Sequence, residues 1–342
     1  MATLTTLALD AMGGDHGPSI VIDALTQALS TFPEVQFIVV GDDTELQPLL
    51  DQAQLLGNPR VVVKHASQTV TMTDKPGYSL RAKPDSSMRV ALELVATEQA
   101  MACVSAGNTG ALMTNAYFTL KTLPGVLRPA LVSAIPQQQE KFSLMLDLGA
   151  NTVCDSETLF QFGVMGAVAA QAVLGIERPR IALLNVGEED TKGNDVVKAA
   201  AALFQQSSQL NYIGFIEGDD LFSNQADVIV CDGFVGNIAL KSCEGLADLL
   251  LSNINENIHK HWLTRWFVKL FYRRLKSSWE WLKPDHYNGA SLIGLRGVVI
   301  KSHGDANARA FYSAIEQAVA ATQRDLPARI RDRVEQVLLE QE

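Results

Sequence analysis

Residues 4–31 of the chain read LTTLALDAMGGDHGPSIVIDALTQALST. The apolar run at 4–10 predicts a buried strand, and the spacing of apolar residues over 18–31 predicts a helix. The turn between them, DAMGGDHGP at 10–18, is rich in glycine, which accepts positive φ and lets a ligand approach the backbone closely. Because a helix begins with N–H groups that lack internal partners, such a turn suits an anion, especially phosphate.

Strand and helix alternate through most of the remaining sequence. Short apolar runs predict further strands at 35–41, 61–65, 102–106, 131–135, 143–148, 180–186, 212–217, 228–231 and 298–301. Helical spacing predicts helices at 88–99, 155–174, 196–206, 237–258 and 307–322. The alternation predicts a single α/β domain over residues 1–342, with a mainly parallel sheet and helices on both faces. Ligands of such sheets bind beyond the carboxyl ends of the strands, and we expect the glycine turns to meet at that edge.

Four more turns pair glycine with asparagine: SAGNTG (105–110), KGND (192–195), DGFVGN (232–237) and YNGAS (287–291). Lys192 could place its charge on a phosphate, or it could be a solvated lysine that balances the acidic residues before it. Asn237 could donate to an oxyanion, or it could only cap a helix. His16 and His303 could each bind an anion, or each could be an ordinary histidine of a turn.

Composition excludes several other classes of protein. The net charge of −10 argues against a general nucleic-acid binder. The sequence contains no GxGxxG after its first strand, no GxxxxGK[ST] and no GxSxG. The four cysteines form no CxxC pair or Cys/His cluster, so we expect no metal and no cofactor. Cys103 and Cys231 lie in apolar runs and are expected to be small core residues.

The chain carries no sequence signal for secretion or for crossing a membrane. No apolar run reaches the ~18 residues of a membrane span. The first residues lack a basic stretch followed by an apolar one, so no signal peptide is predicted. We therefore expect a cytoplasmic protein.

Two segments interrupt the alternation. Residues 66–86 are expected to form a long polar loop that ends at Ser86, a plausible N-cap of the next helix. Residues 258–284 are basic and contain all four tryptophans of the chain: Trp262, Trp266, Trp279 and Trp281. Lysines and arginines gather into one stripe at helical spacing there, which predicts an amphipathic helical protrusion. The protrusion could lie on an anionic membrane, pack on its own domain or a second subunit, or dock an acidic carrier protein.

Six sequence blocks, taken together and in this order, resemble one family. They are DAMGGDHGP (10–18), SAGNTGALM (105–113), LNVGEEDTKGN (184–194), DGFVGNIALK (232–241), YNGASLIG (287–294) and IKSHG (300–304). They look like the signatures of the PlsX family, the bacterial acyl-acyl-carrier-protein:phosphate acyltransferases. The resemblance runs from the first strand to about residue 320.

The resemblance implies a fold similar to the isocitrate and isopropylmalate dehydrogenases and to phosphotransacetylase, in a homodimer. It implies transfer of a fatty acyl chain from acyl carrier protein to inorganic phosphate. The acyl phosphate product would feed a membrane acyltransferase that acts on glycerol 3-phosphate. It also implies a cytoplasmic protein held peripherally on the membrane surface through residues 258–284. The residues expected to contact the membrane are Trp262, Trp266, Lys269, Phe271 and Trp279.

The same blocks imply the site residues. Lys192 and Asn237 are expected to be catalytic. A phosphate- or substrate-binding role is implied for Asp10, Gly13, Gly14, His16, Gly107, Asn108, Thr109, Gly110, Asn194 and Gly236. Because a thiolate with a pKa near ~8.5 is an adequate leaving group, we expect phosphate to attack the thioester directly, without an acyl-enzyme.

Three other functions remain open from the sequence. One is an acyltransferase of the phosphotransacetylase type that uses coenzyme A. Another is a dehydrogenase, since the fold is shared. The third is a non-catalytic membrane scaffold that delivers acyl carrier protein to a partner enzyme.

Overall fold

The computed structural model describes residues 5–260 and 289–341 of the chain. Its strands are β1 (Thr5–Asp10), β2 (Val35–Gly41), β3 (Val61–His65), β4 (Ala102–Ser105), β5 (Ala130–Gln137), β6 (Lys141–Leu146), β7 (Arg180–Leu184), β8 (Asn211–Ile216), β9 (Val228–Val230), β10 (Ala290–Ile293) and β11 (Val298–Lys301). Its helices are α1 (Pro18–Thr31), α2 (Asp43–Gln52), α3 (Pro76–Ala82), α4 (Ser87–Ala96), α5 (Thr109–Leu120), α6 (Ser156–Leu174), α7 (Asp195–Gln206), α8 (Gly233–Lys260), α9 (Ala308–Gln323) and α10 (Leu326–Gln341).

The described strands form one sheet in the order β3-β2-β1-β4-β11-β10-β5-β6-β9-β7-β8. Of the ten neighbouring pairs in this part of the chain, seven are parallel and three are antiparallel, namely β11 with β10, β10 with β5 and β5 with β6. The prediction of a mainly parallel sheet is therefore confirmed. Because the direction reverses three times, β6, β9, β7 and β8 run opposite to β1–β4 and β11.

The two half-sheets end at almost the same level. One row of opposed residues crosses the middle of the sheet and contains Ile300, Ser291, Val132 and Leu146. Strand β6 ends on this row and β11 ends one residue beyond it. The glycine turns therefore leave the sheet in two groups that point in opposite directions. The expectation that all of them meet at one edge is wrong, because the three antiparallel pairings turn half of the sheet around.

Helices cover both faces of the sheet. Successive residues of β1 point to opposite faces, as a pleated strand requires, so that Leu7 and Leu9 belong to one buried cluster and Ala8 to the other. The first cluster includes apolar residues of α1, α6, α7, α9 and α10. The second includes those of α4 and α5 and the partly buried Ala239 of α8.

The sequence missed several elements. Helices α2, α3, α5 and α10 and strand β10 were not predicted, and α3 lies inside the segment 66–86 that was expected to be a loop. Here Pro76 begins a short helix, as proline in the first turn allows. The predicted cap is confirmed, because the Ser86 hydroxyl accepts from the N–H of Arg89 at the start of α4.

Part of the predicted protrusion lies outside the described residues. Helix α8 extends to Lys260, whereas Trp262, Trp266, Lys269, Phe271 and Trp279 lie beyond the described range. The membrane role of this segment stays a prediction. Among the described helices, α6 is long and apolar enough to cross a membrane by length and composition alone, but 78 % of the window concerned is buried inside the fold.

A charged pair joins β7 to β9. Asp227 accepts from the backbone N–H and the Nε of Arg180 at 2.7 and 3.0 Å, and its other oxygen accepts from the guanidinium at 2.9 Å. Burial of Asp227 opposes its ionisation, but the hydrogen bonds and charge of Arg180 together hold the pKa of the carboxyl below its ordinary value. The carboxylate therefore stabilises the fold above the unfolded pKa, and this stabilisation is lost as the pH falls through the lower folded pKa.

We predict that Asp227→Asn lowers the free energy of unfolding at pH 7 by about 1–3 kcal/mol, less than a fully buried pair because the Arg180 side chain is 37 % exposed. The difference from wild type should shrink below about pH 4, where the native carboxyl begins to lose its charge. Urea unfolding at pH 7 and pH 3 measures both values. Asp219→Asn, at an exposed acid, serves as the control. An equal difference at the two pH values would contradict the prediction.

Candidate functional site

A buried carboxylate organises the first group of turns, which follow β1, β4 and β11. Asp10 is fully buried and accepts from the hydroxyls of Ser105 and Ser87, each at 2.6 Å. Burial raises the pKa of its carboxyl, although these hydroxyls and nearby backbone N–H groups favour the ionised form. A Cβ on Gly13 would lie 2.7 Å from both Asp10 Oδ2 and the backbone nitrogen of Gly107, so two of these turns meet backbone to backbone.

The turn after β11 completes this group. The N–H of Asp15 donates to the carbonyl of Gly304 at 2.8 Å, and the N–H of Ser302 donates to the carbonyl of Ser105 at 2.9 Å. Gly14 has a φ of 92°, a conformation that favours glycine. Three separate segments of the chain thus form one continuous polar surface above β1, β4 and β11.

A second buried carboxylate organises the other group of turns, which follow β6 and β9. Asp147 accepts from the backbone N–H groups of Leu131, Ala150 and Asn151 at 2.9, 3.0 and 2.5 Å, and from the side-chain amide of Asn151 at 2.9 Å. Burial raises the pKa of this carboxyl as well, although the same donors favour its charged form. The carbonyl of Asn151 then accepts from the N–H of Gly233 at 2.8 Å, which ties this turn to the start of α8.

Helix α8 joins the two groups. Its first turn is capped by Asp232, whose carboxylate accepts from the N–H of Val235 at 2.8 Å. Asn237 therefore lies inside the helix and does not cap it, and its side chain packs against Gly149 in the second group of turns. Lys241, one turn later, places its Nζ 3.2 Å from Nε2 of His303 in the first group. The Asn237 and Lys241 Cα atoms are separated by about 6 Å along the helix axis.

Two of the asparagines that were predicted to bind substrate make hydrogen bonds that stabilise the fold. Asn108 caps α5 by accepting from the N–H of Ala111 at 3.0 Å, and its amide donates to the carbonyl of Met72 at 2.6 Å. The polar segment 66–86 is thereby fastened to the glycine turn after β4. Asn194 caps α7 by accepting from the N–H of Val197 at 2.9 Å. These bonds account for both asparagines without a ligand, and their binding role stays a prediction.

The other predicted residues lie in the first group of turns, except for Gly236. Thr109 is the first residue of α5, and Gly110 follows it close to Pro76. The imidazole of His16 lies 2.6 Å from Asp305 Oδ1, at an exposed position. Gly236 is in α8, against the carbonyl oxygen of Asp147.

Lys192 lies in the exposed loop after β7, the strand that neighbours β9. Its N–H donates to the carbonyl of Glu189 at 2.9 Å, and its side chain passes close to Gly187. These contacts keep Lys192 within its own loop, on the side of the sheet where the second group of turns lies. A ligand shared with Asn237 stays a prediction.

Three residues of this region were not assigned a role from the sequence. Asp147 and Lys301 stand at the ends of apolar runs, and Lys241 follows one inside a helix, where a single charged residue gives little signal. A buried charged residue at a strand end is the feature that could have identified the first two. Among the described residues, no group of three or more His, Cys, Asp or Glu side chains could hold a metal ion.

The cysteines offer no reactive thiolate among the described residues. Cys103 and Cys231 are buried, as predicted, and burial raises the pKa of both thiols. Burial and the nearby carboxylates of Asp147 and Asp232 raise the pKa of Cys154 to about 12. Burial also raises the pKa of the half-buried Cys243. A cysteine nucleophile is therefore disfavoured.

Known proteins similar to this chain agree with one another. The model of a family described as "Fatty acid synthesis protein" matches residues 5–329. A phosphate acyltransferase of Idiomarina loihiensis is 63 % identical over 335 residues, which cover 98 % of either chain. A phosphate acyltransferase of Shewanella sp. (strain MR-4) is 52 % identical over 338 residues, which cover 99 % of either chain.

Solved structures share the fold at low identity. EutD phosphotransacetylase from Staphylococcus aureus has a TM-score of 0.60 at 19 % identity and covers 94 % of either chain. A branched-chain phosphotransacylase from Enterococcus faecalis V583 has a TM-score of 0.61 at 19 % identity, covering 93 % of this chain and 99 % of that one. A 4-hydroxythreonine-4-phosphate dehydrogenase from Klebsiella pneumoniae has a TM-score of 0.55 at 17 % identity, covering 94 % and 100 %. The predicted phosphotransacetylase- and dehydrogenase-like fold is confirmed.

The start of α8 gives a sharp prediction. A Cβ at Gly236 would lie 1.9 Å from the carbonyl oxygen of Asp147, so Gly236→Ala must displace α8 from the turn after β6. We expect a loss of stability of about 1–3 kcal/mol, measured by urea unfolding. Gly245→Ala is the matched control in the same helix, because its Cβ would enter open space. This control should be neutral or stabilising by up to about 1 kcal/mol. Equal stability of both variants would contradict the close packing of α8 on Asp147.

Proposed function

The chain belongs to the fatty acid synthesis protein family, and we propose that it transfers a fatty acyl chain from acyl carrier protein to inorganic phosphate. The product would be an acyl phosphate for phospholipid synthesis. The observation that carries the proposal is the position of α8, whose Asn237 and Lys241 side chains reach the two groups of glycine turns. A phosphate and a thioester carbonyl bound beside this helix would meet backbone and side-chain donors from both half-sheets.

The chemistry requires positioning more than activation. Phosphate is the nucleophile, and the carrier thiolate, with a pKa near ~8.5, leaves without strong acid assistance. The buried thiols of Cys103, Cys154 and Cys231 argue against a cysteine-bound acyl intermediate. We therefore favour direct attack of a phosphate oxygen on the carbonyl carbon, followed by loss of the thiolate from the tetrahedral intermediate. Enclosure of the site would also protect the acyl phosphate from water.

Within this mechanism we assign roles to two exposed residues of the second group. Asn237, fixed at the first turns of α8, would donate from its amide to the oxyanion or to phosphate. Lys192 would hold phosphate and neutralise charge that builds up in the transition state. Its exposed loop follows β7, the neighbour of the strand before α8, on the same side of the sheet as Asn237.

The function is tested by incubating the pure protein with long-chain acyl carrier protein, with and without orthophosphate. We expect loss of the thioester and formation of acyl phosphate only when orthophosphate is present. No deacylation at all would remove the proposal and favour the membrane scaffold. Deacylation that does not depend on orthophosphate would also remove the proposal, because it would indicate hydrolysis of the thioester.

A second candidate donor is coenzyme A, because two of the solved structures with this fold are a phosphotransacetylase and a phosphotransacylase. The same assay with acyl-CoA in place of acyl carrier protein separates the two. A larger kcat/KM for acyl-CoA would reverse our choice of donor.

We further propose that the protein is a cytoplasmic homodimer that binds the membrane surface through residues 258–284, close to the glycerol-3-phosphate acyltransferase that uses its product. The basic stripe and the tryptophans of that segment support this proposal.

For the membrane, we predict that the combined variant Trp266→Ser, Phe271→Ser and Trp279→Ser sediments less with anionic liposomes than wild type does, because its apolar face no longer enters the lipid interface. Activity on soluble acyl carrier protein should be retained, which controls for folding. Unchanged sedimentation would assign these aromatic residues to packing.

For catalysis, we predict that Lys192→Ala lowers kcat by about 10²-fold or more, as the loss of one preorganised donor does in other enzymes. Lys198→Ala, in the helix that follows the same loop, should keep wild-type activity. Circular dichroism and thermal unfolding check that both variants fold. Near-normal turnover by Lys192→Ala would exclude this lysine from the mechanism.

A further inference from the structure

Two lysines and a histidine lie where β11 ends, and the mechanism above assigns a chemical role to none of them. Lys301 is the last residue of β11, Lys241 comes from α8, and His303 lies in the turn that follows β11. Lys241 Nζ is 3.2 Å from His303 Nε2. Lys301 lies two residues before His303, and its pKa is lowered to about 8 by burial first and then by the charge of Lys241.

The Lys301 amine is held firmly in place. Only 7 % of the residue is exposed. Its Nζ donates to the carbonyl of Ser302 and, at 3.5 Å, to the carbonyl of Ala106. An ammonium has three N–H donors, and these two bonds within the described residues account for two of them. A buried amine that is fixed by two carbonyls can direct its third N–H toward a ligand.

Of the carboxylates around the cluster, Asp10 and Asp305 are engaged in other contacts, whereas Glu244 pairs with Lys241 itself. Asp10 accepts from two serine hydroxyls, and its own carboxyl is shifted toward the neutral form. Glu244 pairs with Lys241 at 2.6 Å, in the same helix. Asp305 lies 2.6 Å from His16. Asp10 and Asp15 do favour the charged form of Lys301, but these effects are smaller than those of burial and of Lys241.

Two glycine turns pack closely together beside the cluster. Gly14 and Gly304 face each other there, since a Cβ on Gly14 would lie 3.0 Å from the Gly304 carbonyl oxygen. The N–H groups of the turn after β1 lead into the first turn of α1, where a helix begins with N–H groups that lack helical partners. Lysine supplies a point charge to a phosphate, and glycine permits close backbone approach.

We propose that Lys241, Lys301 and His303 form a binding site for a phosphoryl dianion. Its ligand is the acceptor orthophosphate or the phosphoryl end of the acyl phosphate product, and this identification rests on the proposed function. The site belongs to the first group of turns, so these residues would hold the phosphoryl group in addition to Lys192, which follows β7 in the other half-sheet. Asn237 lies one helical turn from Lys241, so a phosphoryl group at this site reaches the acyl carbonyl beside Asn237.

Equilibrium binding tests the site without reference to turnover. Orthophosphate is titrated into wild type, Lys301→Met, Lys241→Gln and the control Lys64→Met, which alters an exposed lysine at the edge strand β3. Loss of one charge-assisted contact should weaken orthophosphate binding about tenfold in Lys301→Met and measurably in Lys241→Gln. Lys64→Met should bind as wild type does. If Lys301→Met does not fold, Lys241→Gln decides, because that lysine is exposed and its replacement leaves the core intact.

Titration with hexyl phosphate distinguishes the two sources of the phosphoryl group. Tighter binding of hexyl phosphate than of orthophosphate, with the same loss in the lysine variants, assigns the site to the product. The reverse order assigns it to the acceptor. The proposed site is overturned if Lys241→Gln and any folded Lys301→Met bind orthophosphate and hexyl phosphate within twofold of wild type. It is also overturned if wild type binds neither ligand.

The KM for orthophosphate separates failure of the site from failure of the proposed function. If wild type binds orthophosphate through these lysines but forms no acyl phosphate, the proposed site is retained and the proposed function is rejected. If both lysine variants form acyl phosphate normally with an unchanged KM for orthophosphate, the proposed function is retained and the proposed site is rejected.

Discussion

The three antiparallel pairings at the middle of the sheet determine where every polar turn lies. They reverse the direction of one half-sheet and bring its carboxyl ends to the row where the other half-sheet also ends, at Ile300 and Leu146. In a sheet with all its strands parallel, the turns would share one edge and one crevice. In this structure the turns leave the sheet in two directions. An element that contacts both groups of turns therefore has to cross the row that contains Ile300 and Leu146. Helix α8 does so within its first turns, and for that reason the candidate site is centred on a helix rather than on a strand edge.

Each group of turns is built around one buried carboxylate, and the two are used in the same way. Asp10 and Asp147 are both removed from water, and burial raises the pKa of both despite the donors that surround them. A buried carboxylate costs stability unless it is hydrogen-bonded. Asp10 and Asp147 accept hydrogen bonds from hydroxyl, amide and backbone groups, and each carboxylate thereby orients its donors toward one point. The result is a set of turns whose backbone is fixed before any ligand arrives, which is the condition for strong electrostatic stabilisation of an oxyanion.

Much of the fold could be predicted from local pattern, although helices α2, α3, α5 and α10 and strand β10 were missed, and the direction of the strands could not be predicted at all. Apolar runs located most strands, and Ser86 was recognised as a cap because capping depends on residues three positions apart. The reversal of the sheet could not be predicted, since a strand covered on both faces has the same apolar pattern in either direction. Asn108 and Asn194 show the limit for the site: an asparagine at a helix start has one sequence signature whether it caps the helix or binds a ligand.

The cluster at the end of β11 shows why the site needs more than glycine turns. Burial and the charge of Lys241 both disfavour the charged form of Lys301, and packing alone would be served better by an apolar residue at position 301. Groups that lower the stability of a protein in this way are found most often at its binding and catalytic sites. The backbone of the first group offers N–H dipoles, whose partial charges fall off within a helical turn. Lys301 and Lys241 add positive charge beside the contact between Lys241 of α8 and His303 after β11, and they thereby connect the anion-binding turns to the helix that carries Asn237.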